Sequence, residues 1–364
     1  MKFKFYPIES RIYNFLEFPT LIFAKEHYEE KMEDDDIEVP SFVRYFEFLS
    51  RVEKRLKPYK KDIEVFYKKE FMGDYDFIEL ISKVYRIFGH KSEKEYLDML
   101  LGLNEQDIIT SIAYGVIYAH DRIECSEEVM IRARALSLDK TELISLIKEL
   151  PTESASKWDL FLYTEEPLKH MKMYVELMNT LLPIFEEFYS LYEEEVNGYG
   201  QYLVDFLNEN GAKGLEEKTY SILDSKILNK EENNIFVSAM MQFAISLSSP
   251  DSKYNYIVWG LMMEDAFKRM KEKNENKINE RVQVFKNLGD KTRYEVVKLI
   301  ASGETSTKEI ARALGVSSAT ISYHISNLLQ AKIIKIDRTE NRYGYLIDHE
   351  LLENVINGLK EDLS

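Results

Sequence analysis

The stretch SSATISYHISNLLQ, Ser317 to Gln330, carries side chains suited to contact with a polar surface rather than to bond-breaking. Ile321, Ile325 and Leu328 recur at i, i+4 and i+7, which is one apolar face of a helix. The opposite face offers Ser318, Thr320, Ser322, Tyr323 and Ser326, with His324 at its flank. Short hydroxyl side chains let a helix backbone approach the edges of base pairs, and each can donate or accept a hydrogen bond. Ser317 is placed to cap this helix, whose amino terminus then presents free N–H groups and a positive dipole to a phosphate. Downstream, IIKIDRTENRYGYLID alternates on both sides of TEN, which predicts a hairpin with Asn341 in its turn and Arg338 and Arg342 near its tip. Arginines there reach a phosphate backbone or a minor groove. The residues expected to contact double-stranded DNA are therefore Ser317, Ser318, Thr320, Ser322, Tyr323, His324, Arg338, Asn341 and Arg342.

Three elements must hold that face in place. Asp290 can cap a helix over KTRYEVVKLIAS, with Tyr294, Val297 and Ile300 on one side. In STKEIARALG, Ser306 and Glu309 have capping-box spacing, Ile310 and Leu314 face inward, and Gly315 supplies a left-handed turn. Helix, short turn, helix and basic hairpin, in that order, predict a winged helix-turn-helix whose second motif helix enters the major groove. A winged helix used only for protein contacts is the alternative. Charge favours the DNA reading. The whole chain carries −16, yet between Glu280 and Ile347 eleven Lys and Arg face seven Asp and Glu, a local +4 that leaves −20 on the rest.

FKNLGDKTRYEVVKLIASGETSTKEIARALGVSSATISYHISNLLQAKIIKIDRTENRYGYLID resembles the ArsR-type winged-helix transcription regulators. LGDKTRYEVVKLI is similar to the family's first helix of the motif region, and ATISYHISNLLQAKII to its recognition helix and the step into the wing. The resemblance covers about a fifth of the chain. It implies a homodimer on a pseudo-palindromic operator, often a repressor released by an effector. It also implies that the helices at about 280–288 and 350–359 dimerise. LLENVINGL does carry an apolar stripe at Leu351, Leu352, Val355, Ile356 and Leu359, although docking onto the rest of the chain would need the same stripe. The chain departs from the metal-sensing members. No cysteine follows Cys125, and after the adjacent Asp348 and His349 there is no second histidine, so no metal is expected in this module.

The remaining sequence predicts a mainly α protein, with a helical N-terminal body holding a little β. Only 14 Gly and 8 Pro occur among 364 residues, while 24 Tyr and 20 Phe supply bulky core. Three segments are expected. Residues 1–150 form a helical subdomain that ends near LPTESASKW, with a short strand at MKFKFY and Thr141 as a helix cap. Residues 151–270 form a second helical subdomain. It contains a long helix bent at Pro183, or two meeting there, a shorter helix in NGYGQYLVDFLNENG, and a hairpin or strand pair around SSPDSKYN. Residues 271–364 are the winged helix with its linker helix. Some long relatives of the resembled family carry a similar helical region ahead of the motif, and the resemblance gives no ligand for it.

One cysteine rules out a disulfide framework and fits a reducing cytoplasm, and the absence of a long apolar run argues against a membrane span or signal peptide. Cys125 lies among acids that would raise its pKa. His27, His90, His120 and His170 sit on separate helices beside carboxylates and read as solvated pairs. Tyr and Met residues between 160 and 263 read as core before they read as a pocket. With no phosphate loop, catalytic motif or cofactor signature, the expected function is a sequence-specific, repressor-like DNA-binding regulator, not an enzyme. A small molecule or protein acting on the N-terminal body would control it. The alternatives are an autoregulatory enzyme with catalysis in residues 1–270, and a scaffold that uses the winged helix for protein contacts.

Overall fold

The computed structural model describes residues 2–24, 40–67, 76–121, 127–225, 228, 230–248, 254–275, 277–339 and 342–363. It is mainly α and clusters as two compact units, Met1–Glu209 with Lys230–Met263, and Asn210–Asn229 with Glu264–Ser364. The expected division at 150 falls inside the first unit, because one aromatic core runs across it. Phe15 packs on Phe185 with ring centroids 5.2 Å apart, Phe66 on Tyr174 at 5.4 Å, and Phe77 on Tyr163 at 4.8 Å.

The strand pair of the sequence reading is part of a larger sheet. Strands β1 (Lys2–Phe5), β2 (Glu232–Ser238), β3 (Ile245–Ser248) and β4 (Tyr254–Gly260) lie in the order β1-β2-β4-β3. β1 runs parallel to β2, with Phe5 opposite Ile235, and β2 runs parallel to β4, while β3 is antiparallel to β4. Central β2 is buried almost throughout, as a strand covered on both faces must be. The Asn208 side chain accepts the Phe3 amide and donates to the Phe3 carbonyl, each at 2.9 Å, and so satisfies the free edge of β1.

Helix Pro7–Glu17 is locked to the end of β2 by the fully buried Asn14. Its amide donates to the carbonyls of Ser10 and Val237 at 2.8 Å and accepts the amides of Ala239 and Met240 at 2.9 Å. Arg11, one turn earlier, reaches three helices. Its Nε meets Glu93 at 2.5 Å and Nη1 meets Glu193 at 2.8 Å, Nη2 pairs with Glu186, and the guanidinium lies over Tyr189. Met171, Tyr174, Met178 and Tyr189 are core residues. Helix Pro167–Tyr189 continues through Pro183 as one element. Asp139, not Thr141, caps helix Lys140–Glu149, and the Thr141 amide donates to it. The segment expected as a short helix lies within Glu193–Lys218, where Gly211 breaks helical geometry at φ 59 and ψ −141.

The second unit contains helices Lys277–Gly289, Lys291–Ala301, Thr307–Leu314, Ser318–Gln330 and His349–Asp362, with a hairpin of β5 (Ile334–Thr339) and β6 (Arg342–Ile347). Its core joins Val284, Val296, Ile300, Ile310, Ile321, Ile325, Leu328, Ile333, Ile334 and Val355. Of the face expected to carry Tyr294, Val297 and Ile300, the last two are buried while Tyr294 is 49% exposed, and Val296 is buried beside them.

Candidate nucleic-acid interface

Each helix of the motif starts on a side-chain cap. The Asp290 carboxylate accepts the Arg293 amide at 2.8 Å, and this bond, outweighing burial, holds its pKa below the usual carboxylate value. Ser306 accepts the Glu309 amide at 3.3 Å, but its own amide donates to Glu304 at 2.9 Å. Gly315, at φ 68, ends helix Thr307–Leu314 in the left-handed conformation. Two residues later Ser317 accepts the Thr320 amide at 3.0 Å and its hydroxyl meets that of Thr320 at 2.8 Å. The turn between the motif helices is therefore fixed by local chemistry at both ends.

On helix Ser318–Gln330, residues Ala319, Ser322, Tyr323, Ser326 and Gln330 are exposed. They fall at i, i+3, i+4, i+7 and i+11, one continuous outward stripe. Ser318 and Thr320 are half-buried on its margins. His324 departs from the expected flank position. It is 9% exposed, its Nδ1 has no hydrogen-bond partner, and it titrates against Asp290 and Arg293. Burial lowers its pKa, Asp290 opposes the shift and Arg293 adds to it. The physical reason is periodic: position 324 lies three residues after Ile321 and four before Leu328, on the core side of the helix. Ala319 and Gln330 were outside the expected set, although the same periodicity carries them.

The wing is built where expected. Arg338 stands opposite Tyr343 and Arg342 opposite Thr339 in the ladder, while Asn341 lies outside the described residues. At its base Lys335 meets Asp348 at 2.5 Å, and Asp348 caps helix His349–Asp362 by accepting the Leu351 amide at 3.0 Å. Burial works against the Asp348 charge, but Lys335 and the helix amides outweigh it and lower the pKa. A Cβ on Gly344 would stand 3.1 Å from Thr305 Cγ2, so the wing packs closely on the turn before the motif. Not every local cation faces outward. Arg293 donates to the carbonyls of Asn287 and Lys286, Lys298 pairs with Glu295, and Arg312 pairs with Glu309.

Elsewhere, His170 is buried with Nδ1 2.8 Å from the Glu166 carbonyl, and His90 packs edge-on against Tyr96 from a connecting segment rather than a helix. His27 and Cys125 lie outside the described residues. Among the described residues no three His, Cys, Asp or Glu side chains converge as a metal site, and no helix is long and apolar enough to cross a membrane.

A helix-turn-helix domain model matches residues 288–337, which covers both motif helices and reaches into the first strand of the wing. The transcriptional repressor SdpR of Bacillus subtilis is 31% identical over 74 residues, 20% of this chain and 82% of that protein. The chain belongs to the ArsR-type winged helix-turn-helix regulators. This ArsR-type protein is a DNA-binding transcription regulator. It is also 25% identical over 76 residues to the arsenical resistance operon repressor of Staphylococcus aureus, 21% of this chain and 73% of that one. The HTH-type transcriptional regulator KmtR of Mycobacterium tuberculosis is 28% identical over 75 residues, 21% of this chain and 58% of that one. No solved structure matches. Each of these three relatives matches about a fifth of this ArsR-type chain.

Proposed function

We propose that this regulator is a repressor that binds a pseudo-palindromic operator as a homodimer, and that a small molecule or partner protein on the first unit sets its operator affinity. One observation carries the dimer. Ile278, Val282 and Phe285 on helix Lys277–Gly289 are 63%, 54% and 39% exposed, and Ile356, Leu359 and Leu363 at the chain's end are 49%, 37% and 79% exposed. Each set follows helical spacing, and Gly358 lets Arg281 approach its backbone, which brings the two helices together. Apolar stripes of this kind are buried against a second copy more readily than left in water. Regulation without catalysis is supported by relatives that are all named as transcription regulators. Repression is supported by two of them, named as repressors. An effector on the body would act by linkage: a ligand that binds two arrangements of the protein unequally shifts operator affinity by that difference.

Sedimentation and fluorescence anisotropy on the gene's own upstream DNA test the proposal. The wild-type chain is expected to sediment as a dimer and to bind that duplex selectively over a scrambled one. Val282→Asp with Ile356→Asp is expected to give monomers whose operator affinity falls ~100-fold, as the second half-site contact becomes intermolecular. A dimer that survives both substitutions would refute this interface. If Thr320→Ala with Arg342→Ala left regulation intact, the scaffold reading would replace DNA recognition.

A further inference from the structure

We propose that the recognition helix of this chain reads thymine, through the methyl group of Ala319 and the ring of Tyr323, and so selects half-sites dominated by A·T pairs. The inference rests on the DNA-binding function above and names the bases that function would prefer. From Ser317 to Gln330 there is no Lys, Arg, Asp or Glu. The commonest guanine contact is a bidentate Arg or Lys on O6 and N7, and cytosine is read by a carboxylate on its amino group. This helix has neither. The preceding helix carries two cations, the half-buried Lys308 in its first turn and Arg312, which is paired with Glu309, and the recognition helix itself adds none.

The outward stripe offers two hydrocarbon surfaces instead. Ala319 is exposed in the first turn of the helix, and Tyr323, four residues on and 40% exposed, stands on the same face. The 5-methyl of thymine is the one apolar feature of the major groove, and small apolar side chains read it by contact. Ser322 and Ser326, between and beyond them, donate or accept with equal ease, so they tolerate either partner of a pair. Gln330 closes the stripe with an amide suited to adenine. The stripe as a whole discriminates by methyl contact and adenine pairing, and it carries none of the charged groups that most often select a G·C pair.

The test uses the full-length protein. Selection from a randomised duplex pool is expected to return half-sites rich in A·T pairs. In the selected duplex, thymines are then replaced one at a time by deoxyuridine, which removes the methyl and preserves pairing. One or two positions per half-site are expected to lose about fourfold in affinity each, the loss of one buried methyl. Ala319→Gly should bind the thymine and uracil duplexes equally at one of those positions, while its affinity for the uracil duplex matches wild type. Ala319→Ser, which keeps the helix start intact, should give the same loss of discrimination if the glycine variant is unstable. Selected half-sites with a G·C core, or affinities indifferent to every uracil, would overturn thymine reading and leave DNA recognition standing. A pool that yields no selected sequence would remove the DNA-reading premise itself, and this proposal with it.

Discussion

At Asn14 one amide serves five partners, two of them the backbone N–H groups of Ala239 and Met240. Asn14→Ala leaves those donors buried and unpaired, so a loss of roughly 2–4 kcal/mol is expected, read as a lower urea midpoint with secondary structure retained just below it. A midpoint within error of wild type would show that water replaces the amide. His324 poses a different question. Its folded pKa lies below the unfolded value, so the unfolded chain binds the proton first as pH falls. The stability due to a neutral His324 is complete above about pH 6.5 and is lost as pH falls from there through the lowered folded pKa. Thermal melts at pH 7.5 and 5.5 should therefore diverge more in wild type than in His324→Leu. Equal divergence would place the acid sensitivity elsewhere. Nothing in a residue-by-residue list of hydroxyls and imidazoles separated His324 from its neighbours. Only its phase against Ile321 and Leu328 did so, and packing gave that phase its meaning.

The motif elements are set by short-range chemistry, which is why they were legible. Gly315 at φ 68 and Ser317 on the Thr320 amide fix the turn, and Ser317→Ala is expected to destabilise the module by about 1 kcal/mol. Denaturation of that variant beside wild type checks it, and an unchanged midpoint would mean that Thr320 or water takes over the cap. On the wing, Arg338→Ala and Arg342→Ala are each expected to weaken binding on all sequences. Each should flatten the logarithmic salt dependence by about one unit, measured by anisotropy across a salt series. Changes on the Ala319–Tyr323 stripe should alter sequence preference instead. Equal effects of both classes on every duplex would dissolve that division of labour.

At the scale of the molecule, a locally basic stretch, +4 over Glu280–Ile347, follows a body of residues 1–279 that carries −16. Helix Glu193–Lys218 passes from the first compact unit into the second, and Gly211 breaks it just past that boundary in a conformation open to glycine alone. Gly211→Ala is expected to destabilise the protein by roughly 1–3 kcal/mol through backbone strain, read by chemical denaturation. A midpoint equal to wild type would show that the helix straightens at no penalty and that the break is not required by the fold.

The order of the winged helix, its caps at Asp290, Ser306 and Ser317, and its inward Ile310, Ile321, Ile325 and Leu328 were determined by the sequence alone. Caps act over three residues, and a helix repeats its inward face every three to four. Tertiary structure alone decided what depends on residues far apart. Lys2–Phe5 pairs with a strand beginning at Glu232, and helices on either side of residue 150 share one aromatic core. Tyr294 is left in water while Val296, two residues on, is fully buried. A four-residue strand has no partner written in its own pattern, and a side chain at the margin of a helical face is buried or exposed by what packs against it.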